Sequence, residues 1–433
     1  MEWESIFTLA GSFFILLAIG TPISFAIGIA SLLAIMISIP FESAIAVVSQ
    51  KMATGLDSFS LLAIPFFILA GNIMNRGGIA IRLIEFAKVL GGRLPGSLSQ
   101  VNVLANMMFG SISGSAVAAA AAVGGTMAPL QKKEGYDPAF SAAVNIASSP
   151  TGMLIPPSST FIVYSLISGG TSIGALFLAG YIPGVLMGLG VMIVAYFFAK
   201  KYNYPVSPKP TLKEVTSRTL DAIPSLGLVI VIIGGIIGGI FTATEASAIA
   251  VVYTLILSML IYKEITLKEL PAIILDAMVT TSIVLLLIGT SMGMSWAMAN
   301  ADIPYAISDA LLAISDNPII ILIIINIILL IIGTFMDMTP ALLIFTPIFL
   351  PIVTELGMDP VHFGILMTFN LSIGICTPPV GSVLFVGCSV GGVKIDKVIK
   401  PLLPFYAVLV VTLLLVTFVP QLSLWLPQAL LGY

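Results

Sequence analysis

The chain has 433 residues, 58% hydrophobic and 9% charged, with a mean hydropathy of +1.15. A water-soluble core cannot absorb that much apolar surface, so lipid must be the solvent for much of the molecule. The net charge of −3 argues against a nucleic-acid partner, and one histidine, His362, leaves no His cluster for a metal site.

At the N-terminus, Glu2 and Glu4 stand where a cleavable signal would carry basic residues, and the apolar run Ile6–Ile39 is too long for one. Predicted spans follow at 6–20, 22–39, 58–75, 139–168 and 172–199, then at 223–241, 245–262, 278–300, 361–390 and 398–424. Each is near the roughly 20 residues that a crossing helix needs, allowing for tilt. Cys376 and Cys388 lie inside such segments and read as packing residues rather than a disulfide. Gly234-Gly235 and Gly238-Gly239 suggest close helix packing, Pro65 a kink, and Glu245 a helix cap.

A shift of 222 residues takes Gly135-Tyr-Asp137-Pro138 to Gly357-Met-Asp359-Pro360. It also takes Gly152 to Gly374, Pro156-Pro157 to Pro378-Pro379, and Gly169-Gly170 to Gly391-Gly392. The chain is therefore read as two copies of one unit, 1–199 and 223–433, joined by a cytoplasmic linker at 200–222. The basic loop with Arg76, Arg82, Lys88 and Arg93 maps onto 298–315, which has Asp302 and Asp309 and no base. The uncharged Thr171–Ala179 maps onto a stretch holding Lys394, Lys397 and Lys400. Because cytoplasmic loops concentrate Lys and Arg, the two copies face opposite ways, as an inverted-topology repeat requires. Two further apolar stretches, 97–130 and 318–352, begin and end in loops of one charge character and are predicted to be re-entrant hairpins. The expected fold is an all-α polytopic membrane protein with about ten transmembrane helices, two hairpins and broken helices at 139–168 and 361–390.

Broken backbone inside a membrane is tolerated only beside protein or a polar cavity. The breaks fall at Ser149–Ser158 and Gly374–Gly381, and the hairpin tips at Gly110–Ser115 and Gly333–Pro340. Freed carbonyls and hydroxyls are hard ligands suited to Na⁺, and half-helix N-termini suit a carboxylate. Two cation sites related by the shift are expected: Ser111, Gly152, Ile155 and Pro157 in one, and Gly333, Gly374, Thr377 and Val380 in the other. Ser113, Ser115, Ser158 and Asp337 are the substrate candidates. Asp337, an ionisable group within a membrane segment, is either a functional charge or an N-cap for the returning hairpin helix. No Lys or Arg lies in a tip or a break, so co-bound Na⁺ would supply positive charge to an anionic substrate. With no His-Glu-x-x-His site and no second aspartate beside Asp337, an enzyme is not expected.

These residues resemble a known family. Leu62–Asn72, Gly96–Ala122, Ile155-Pro-Pro-Ser158 and Gly333–Gly381, including Thr377-Pro-Pro-Val-Gly381, look like the DctM-type large membrane subunit of tripartite ATP-independent periplasmic (TRAP) transporters. Ala243 stands at a position where the family pattern often has proline, and Ala119 where it often has Asp. The resemblance implies an elevator-type transporter in a bacterial inner membrane that takes up an organic acid with a Na⁺ gradient. Suitable acids include a C4-dicarboxylate, a sialic acid or a keto-sugar acid. It also implies two partners on separate chains, a small four-helix (DctQ-type) membrane subunit and a periplasmic substrate-binding protein; the alternative is a symporter acting without the binding protein.

Overall fold

The computed structural model describes the backbone of residues 2–315 and 317–433, and side chains from Glu4 onward; the predicted role of the Glu2 side chain lies outside the described residues. The first copy comprises α1 (Glu2–Ala18), α2 (Ile23–Ile35), α3 (Phe41–Leu56), α4 (Ala63–Arg76), α5 (Ile79–Gly91), α6 (Ser97–Ser113) and α7 (Ala116–Lys133). It continues through α8 (Pro138–Ser148), α9 (Thr151–Leu154), α10 (Ser159–Ile167) and α11 (Ile173–Tyr202). The second comprises α12 (Leu212–Ile237), α13 (Ala243–Leu255), α14 (Leu270–Asn300), α15 (Ile303–Ile314), α16 (Pro318–Phe335) and α17 (Met338–Glu355). It ends with α18 (Pro360–Gly374), α19 (Ser382–Gly391), α20 (Ile395–Phe418) and α21 (Gln421–Leu431).

Residues 222 apart do the same local work. Asp137 and Asp359 each cap a helix that opens with proline, accepting from the backbone N–H groups of Ala139 and Val361. Gly135 and Gly357 turn the chain just before them at φ +82° and +85°, a region that glycine enters freely. Pro156-Pro157 and Pro378-Pro379 are both cis. α7 and α17 start and stop at residues related by the same shift.

Among the described residues, eight helices are long and apolar enough to cross a membrane. They include both arms of the second hairpin, α16 and α17. They exclude α1, α2 and the pieces of the two broken helices, all shorter than 18 residues. Large apolar side chains face outward on many of them, such as Phe7, Ile230, Leu260 and Ile331, as expected where lipid is the solvent.

Several expectations are corrected. The basic loop after Arg76 is helix α5, and its counterpart is helix α15; both place apolar residues inward among their charges. Helix α3 was not foreseen, because Glu42, Gln50 and Lys51 interrupt its apolar pattern. In the second copy the region matching α3 and α4 is one continuous helix, α14. The linker is shorter than expected, because α11 runs to Tyr202 and α12 starts at Leu212. The segment between them is strapped down: the Ser97 and Ser207 hydroxyls lie 2.8 Å apart and Tyr204 stacks on Tyr136 at 4.3 Å. Burial pushes the Tyr136 hydroxyl up to about 12, so it stays neutral.

The Gly234–Gly239 run does not form a helix–helix seam. α12 ends there, Gly239 adopts φ +64°, and the Ile240 N–H returns to the Gly235 carbonyl at 2.9 Å. A Cβ on Gly235 would collide with the Phe241 ring. Pro65 lies in the first turn of α4, after a 3₁₀ turn at Phe59–Leu62. Glu245 does cap: with Thr242 it forms a reciprocal capping box. Both cysteines are free and buried.

The helix contacts fall mainly into two packing groups, which meet where α5 packs on α6 and α14 on α17. In one, α1 packs on α2, α2 and α3 on α14, α4 on α13, and α5 on α12. In the other, α6 packs on α7 and α9, α8 and α11 on α20, and α16 on α18. Within the second group the copies exchange contacts: α7 packs on α19, and the matching α17 on α10. α8 and α18 run through its centre almost wholly buried.

The Tyr433 hydroxyl reaches the Asp359 carboxylate at 3.3 Å, which ties the C-terminus to the turn between α17 and α18. The orientation expected from the charge pattern would put that turn outside the cytoplasm, and on that expectation a phosphatase reporter fused after Tyr433 is active and a cytoplasmic reporter silent. The opposite pattern would invert the orientation of both copies.

Candidate functional site

Each hairpin crosses its own broken helix at a pair of glycines. At the first crossing the Gly110 and Gly152 backbones meet so closely that a Cβ on Gly110 would lie 2.8 Å from Gly152 Cα. At the second, a Cβ on Gly374 would lie 2.5 Å from Gly333 Cα. Only glycine permits such an approach, and it brings the backbone carbonyls of two broken elements together.

Buried amides pin both crossings. The Asn106 side-chain amide donates to the Asn145 side-chain oxygen at 3.1 Å and to the Ser148 hydroxyl at 2.7 Å. In the second copy the Asn370 amide donates to the Asn326 carbonyl and side-chain oxygens at 2.9 and 2.8 Å. In a buried site such polar groups hold elements in register because leaving them unpaired is costly.

At the first break, Ser111, Gly152, Ile155 and Pro157 are all buried. Ser111 donates to the Met108 carbonyl at 2.8 Å, leaving its oxygen lone pairs for another partner. Pro156 and Pro157 lack N–H groups, so the carbonyls of Gly152 and Met153 lose the helical partners those residues would supply. The tip residue Gly114 sits against this loop: a Cβ there would be 3.7 Å from the Pro157 carbonyl and 3.5 Å from the Ser159 nitrogen. A small cleft of about 20 Å³ between them is lined by Phe67, Ser113, Gly114, Pro157 and Ser159.

The second break is more open and more tightly knitted by its own backbone. Gly333 and Gly374 are buried, Thr377 is half-buried and Val380 is exposed. The Val380 N–H donates to the Thr334 carbonyl at 3.1 Å, Val383 to Ile375 at 3.1 Å and Thr377 to Gly374 at 2.8 Å. The Thr377 hydroxyl donates to the Ile373 carbonyl at 2.8 Å. The structure thus sets Gly152 against Gly110 and Ser111, Pro157 against Gly114, Gly374 against Gly333 and Val380 against Thr334, while Ile155 packs on Gly184 of α11.

The substrate candidates differ from one another. Ser115 caps α7, accepting from the Ala118 N–H at 3.2 Å. Ser113 lies at the same tip, half-buried. Ser158 is fully buried and its hydroxyl oxygen has no partner. Asp337 holds the N-cap position of α17, but its side chain makes no capping bond. Its carboxylate instead accepts from the Ser382 hydroxyl at 3.2 Å. The helix-cap reading of Asp337 is therefore set aside.

Four helix N-termini adjoin one another here. Gly114 joins the start of α7 to that of α10 at Ser159. Thr160 of α10 meets Met338 of α17 at 3.5 Å, and Asp337 joins α17 to Ser382 at the start of α19. Only α7 carries a side-chain cap; α10, α17 and α19 have none. N-termini without a side-chain cap present N–H groups and partial positive charge, although at α19 the Val383 N–H is already taken by the Ile375 carbonyl, and together they make an anion-binding environment. Ser382 and Thr160 escaped the sequence reading, although the 222 shift pairs them and a hydroxyl at both positions was visible.

The family model described as "Tripartite ATP-independent periplasmic transporter, DctM component" matches residues 10–422. The chain is 61% identical over 99% of both chains to the uncharacterized protein YgiK of Salmonella typhimurium. It is 38% identical to the sialic acid TRAP transporter large permease protein SiaM of Vibrio cholerae, over 96% of this chain and 97% of that one. Its backbone also resembles the crystal structure of the Alcanivorax borkumensis YdaH transporter, with a TM-score of 0.62 at 12% identity over 87% of this chain and 88% of that one, a likeness of fold alone. The all-helical fold, the apolar spans and the near end-to-end match agree: the chain is a membrane transport permease and no enzyme, and it belongs to the DctM family of tripartite ATP-independent periplasmic transporters.

Proposed function

We propose that the chain drives Na⁺-coupled uptake of an organic acid across a bacterial inner membrane, receiving it from a periplasmic binding protein and working with a separate small membrane subunit. The observation that supports this most is the meeting of three uncapped helix N-termini and the capped α7 beside two glycine crossings. The crossings offer hard oxygen donors to Na⁺: Ser111, Gly152, Ile155 and Pro157 at one, and Gly333, Gly374, Thr377 and Val380 at the other. The N-termini, with Ser113, Ser115 and Ser158, would receive a carboxylate. Bound Na⁺ would supply the cationic charge that the tips lack, so each ligand favours the other, which is the thermodynamic basis of symport.

An elevator motion fits the packing. The group holding both hairpins and both broken helices would move as a body against the group of α1–α5 and α12–α15. The two hairpins meet that second group differently: α6 packs extensively on α5, whereas α16 packs on α18 and shows a lipid-facing row from Ile319 to Phe335. Such inequality between related hairpins is what one end state of an alternating-access cycle would look like.

The test is uptake in proteoliposomes holding this chain and a small subunit that co-purifies with it, supplied with a binding protein that docks on them and that protein's own ligand. An inward Na⁺ gradient should drive accumulation that an equal K⁺ gradient does not. Equal uptake with K⁺ would reject Na⁺ coupling.

A further inference from the structure

Away from the crossings, a cavity of about 620 Å³ opens between the start of α8, the end of α11 and the start of α20. Lys201, Lys397 and Lys400 line it, together with an apolar wall that includes Phe198 and Pro401. Lys397 and Lys400 lie one turn apart on α20, so both ammonium groups fall on one side of that helix. None of the three lysines takes part in an ion pair among the described residues; Lys201 only lies over the Tyr202 ring, 5.6 Å from its centre. The one carboxylate in the lining, Asp137, is engaged as the cap of α8 through Ala139. The cavity therefore carries three positive charges against one, with an apolar wall beside them.

Its position gives the ligand class. All of its basic residues lie in the terminal turns of two long apolar helices, the end of α11 and the start of α20, which the charge pattern places on the cytoplasmic side. Away from the cavity, α11 and α20 present Phe197, Leu403 and Val411, each more than half exposed, to the surrounding lipid. A soluble anion would use the lysines and leave the apolar wall bare. An anionic phospholipid of the inner leaflet would use both. We infer that this cavity is a binding site for the headgroup of an anionic phospholipid, with phosphate held by Lys201, Lys397 and Lys400 and the glycerol and upper acyl chain lying along Phe198 and Pro401. The site joins α8 to α20 and α11, so its occupant would brace the hairpin-bearing group at its cytoplasmic end.

Native mass spectrometry of the purified full chain, titrated with dioleoylphosphatidylglycerol, dioleoylphosphatidylcholine or inorganic phosphate, tests this. The glycerol lipid is expected to bind at least about tenfold more tightly than the choline lipid, and the combined K201Q, K397Q and K400Q substitutions should abolish that preference. Lysine-to-arginine replacements at the same positions should retain it, and Val393→Trp, which narrows the apolar wall without changing charge, should weaken it. If the glutamine variant does not fold, the single substitutions K397Q and K400Q carry the same comparison. Equal binding of the two lipids, or a preference that survives the glutamine substitutions, would overturn the inference. Competition by inorganic phosphate against the glycerol lipid at equal concentration would show a soluble-anion site and overturn it as well.

Discussion

Gly152→Ala is expected to lower uptake by roughly 5- to 150-fold while the chain still inserts in the membrane. The added methyl would lie far inside van der Waals contact distance of the Gly110 Cα and carbonyl carbon and 2.7 Å from the Ser111 nitrogen. Neither neighbour is a flexible side-chain end that could swing aside, so the hairpin must lift off the broken helix. Overpacking of this kind costs about 1–3 kcal/mol, which corresponds to roughly 5- to 150-fold in the population holding the native crossing. Gly374→Ala should act alike, because its methyl would meet the Gly333 Cα, carbonyl carbon and oxygen between 2.5 and 2.8 Å. Gly125→Ala is the control, since a Cβ there meets nothing within 4 Å. Initial uptake rates in proteoliposomes, normalised to inserted protein, separate these outcomes. Near-normal transport by Gly152→Ala would mean that the close crossing is packing without function.

Asp337→Asn is expected to lower kcat/KM for uptake by roughly 5- to 150-fold, the usual range for a coupling free energy between two bound ligands, with little change in thermal stability. The structure separates charge from capping at this position. Asp337 makes no bond to the α17 N–H groups, and asparagine would still accept from Ser382. What the substitution removes is a carboxylate beside uncapped helix N-termini. Ser382→Ala removes the hydrogen bond and leaves the charge, so it should affect uptake less. The dependence of uptake on Na⁺ concentration is the second readout: Asp337→Asn should shift it if the carboxylate favours cation occupancy. Unchanged uptake and unchanged Na⁺ dependence would leave Asp337 without a role in coupling.

Much of this architecture was legible in the sequence because the marks that carry it are backbone marks. Asp-Pro helix starts, Pro-Pro breaks and positive-φ glycines fix local geometry regardless of what packs around them, and they recur at one spacing. What stayed hidden depends on neighbours. The amphipathic helices α5 and α15 looked like loops because their apolar faces are short and their charges conspicuous. The buried amides were invisible as a set because the two crossings use different positions: Asn106 and Asn145 in one, Asn326 and Asn370 in the other. Only Ser148 and Asn370 are related by the shift, and they differ in type. The Gly234–Gly239 run misled in the other direction, since a pattern that often brings two helices together here ends one helix around a phenylalanine. Asp337 was ambiguous for a similar reason: capping and charge require the same residue type, and only the side-chain geometry shows that no capping bond is made.

The claim on which the rest depends is that the two glycine crossings are two Na⁺ sites. Equilibrium binding of ²²Na⁺ to the purified chain tests it directly, in the native sequence, in Gly152→Ala and Gly374→Ala separately, and in the two combined. The expected result is two Na⁺ per chain in the native protein, one in each single variant and none in the double variant. A native stoichiometry unchanged by both substitutions, in chains shown to remain folded, would contradict the assignment.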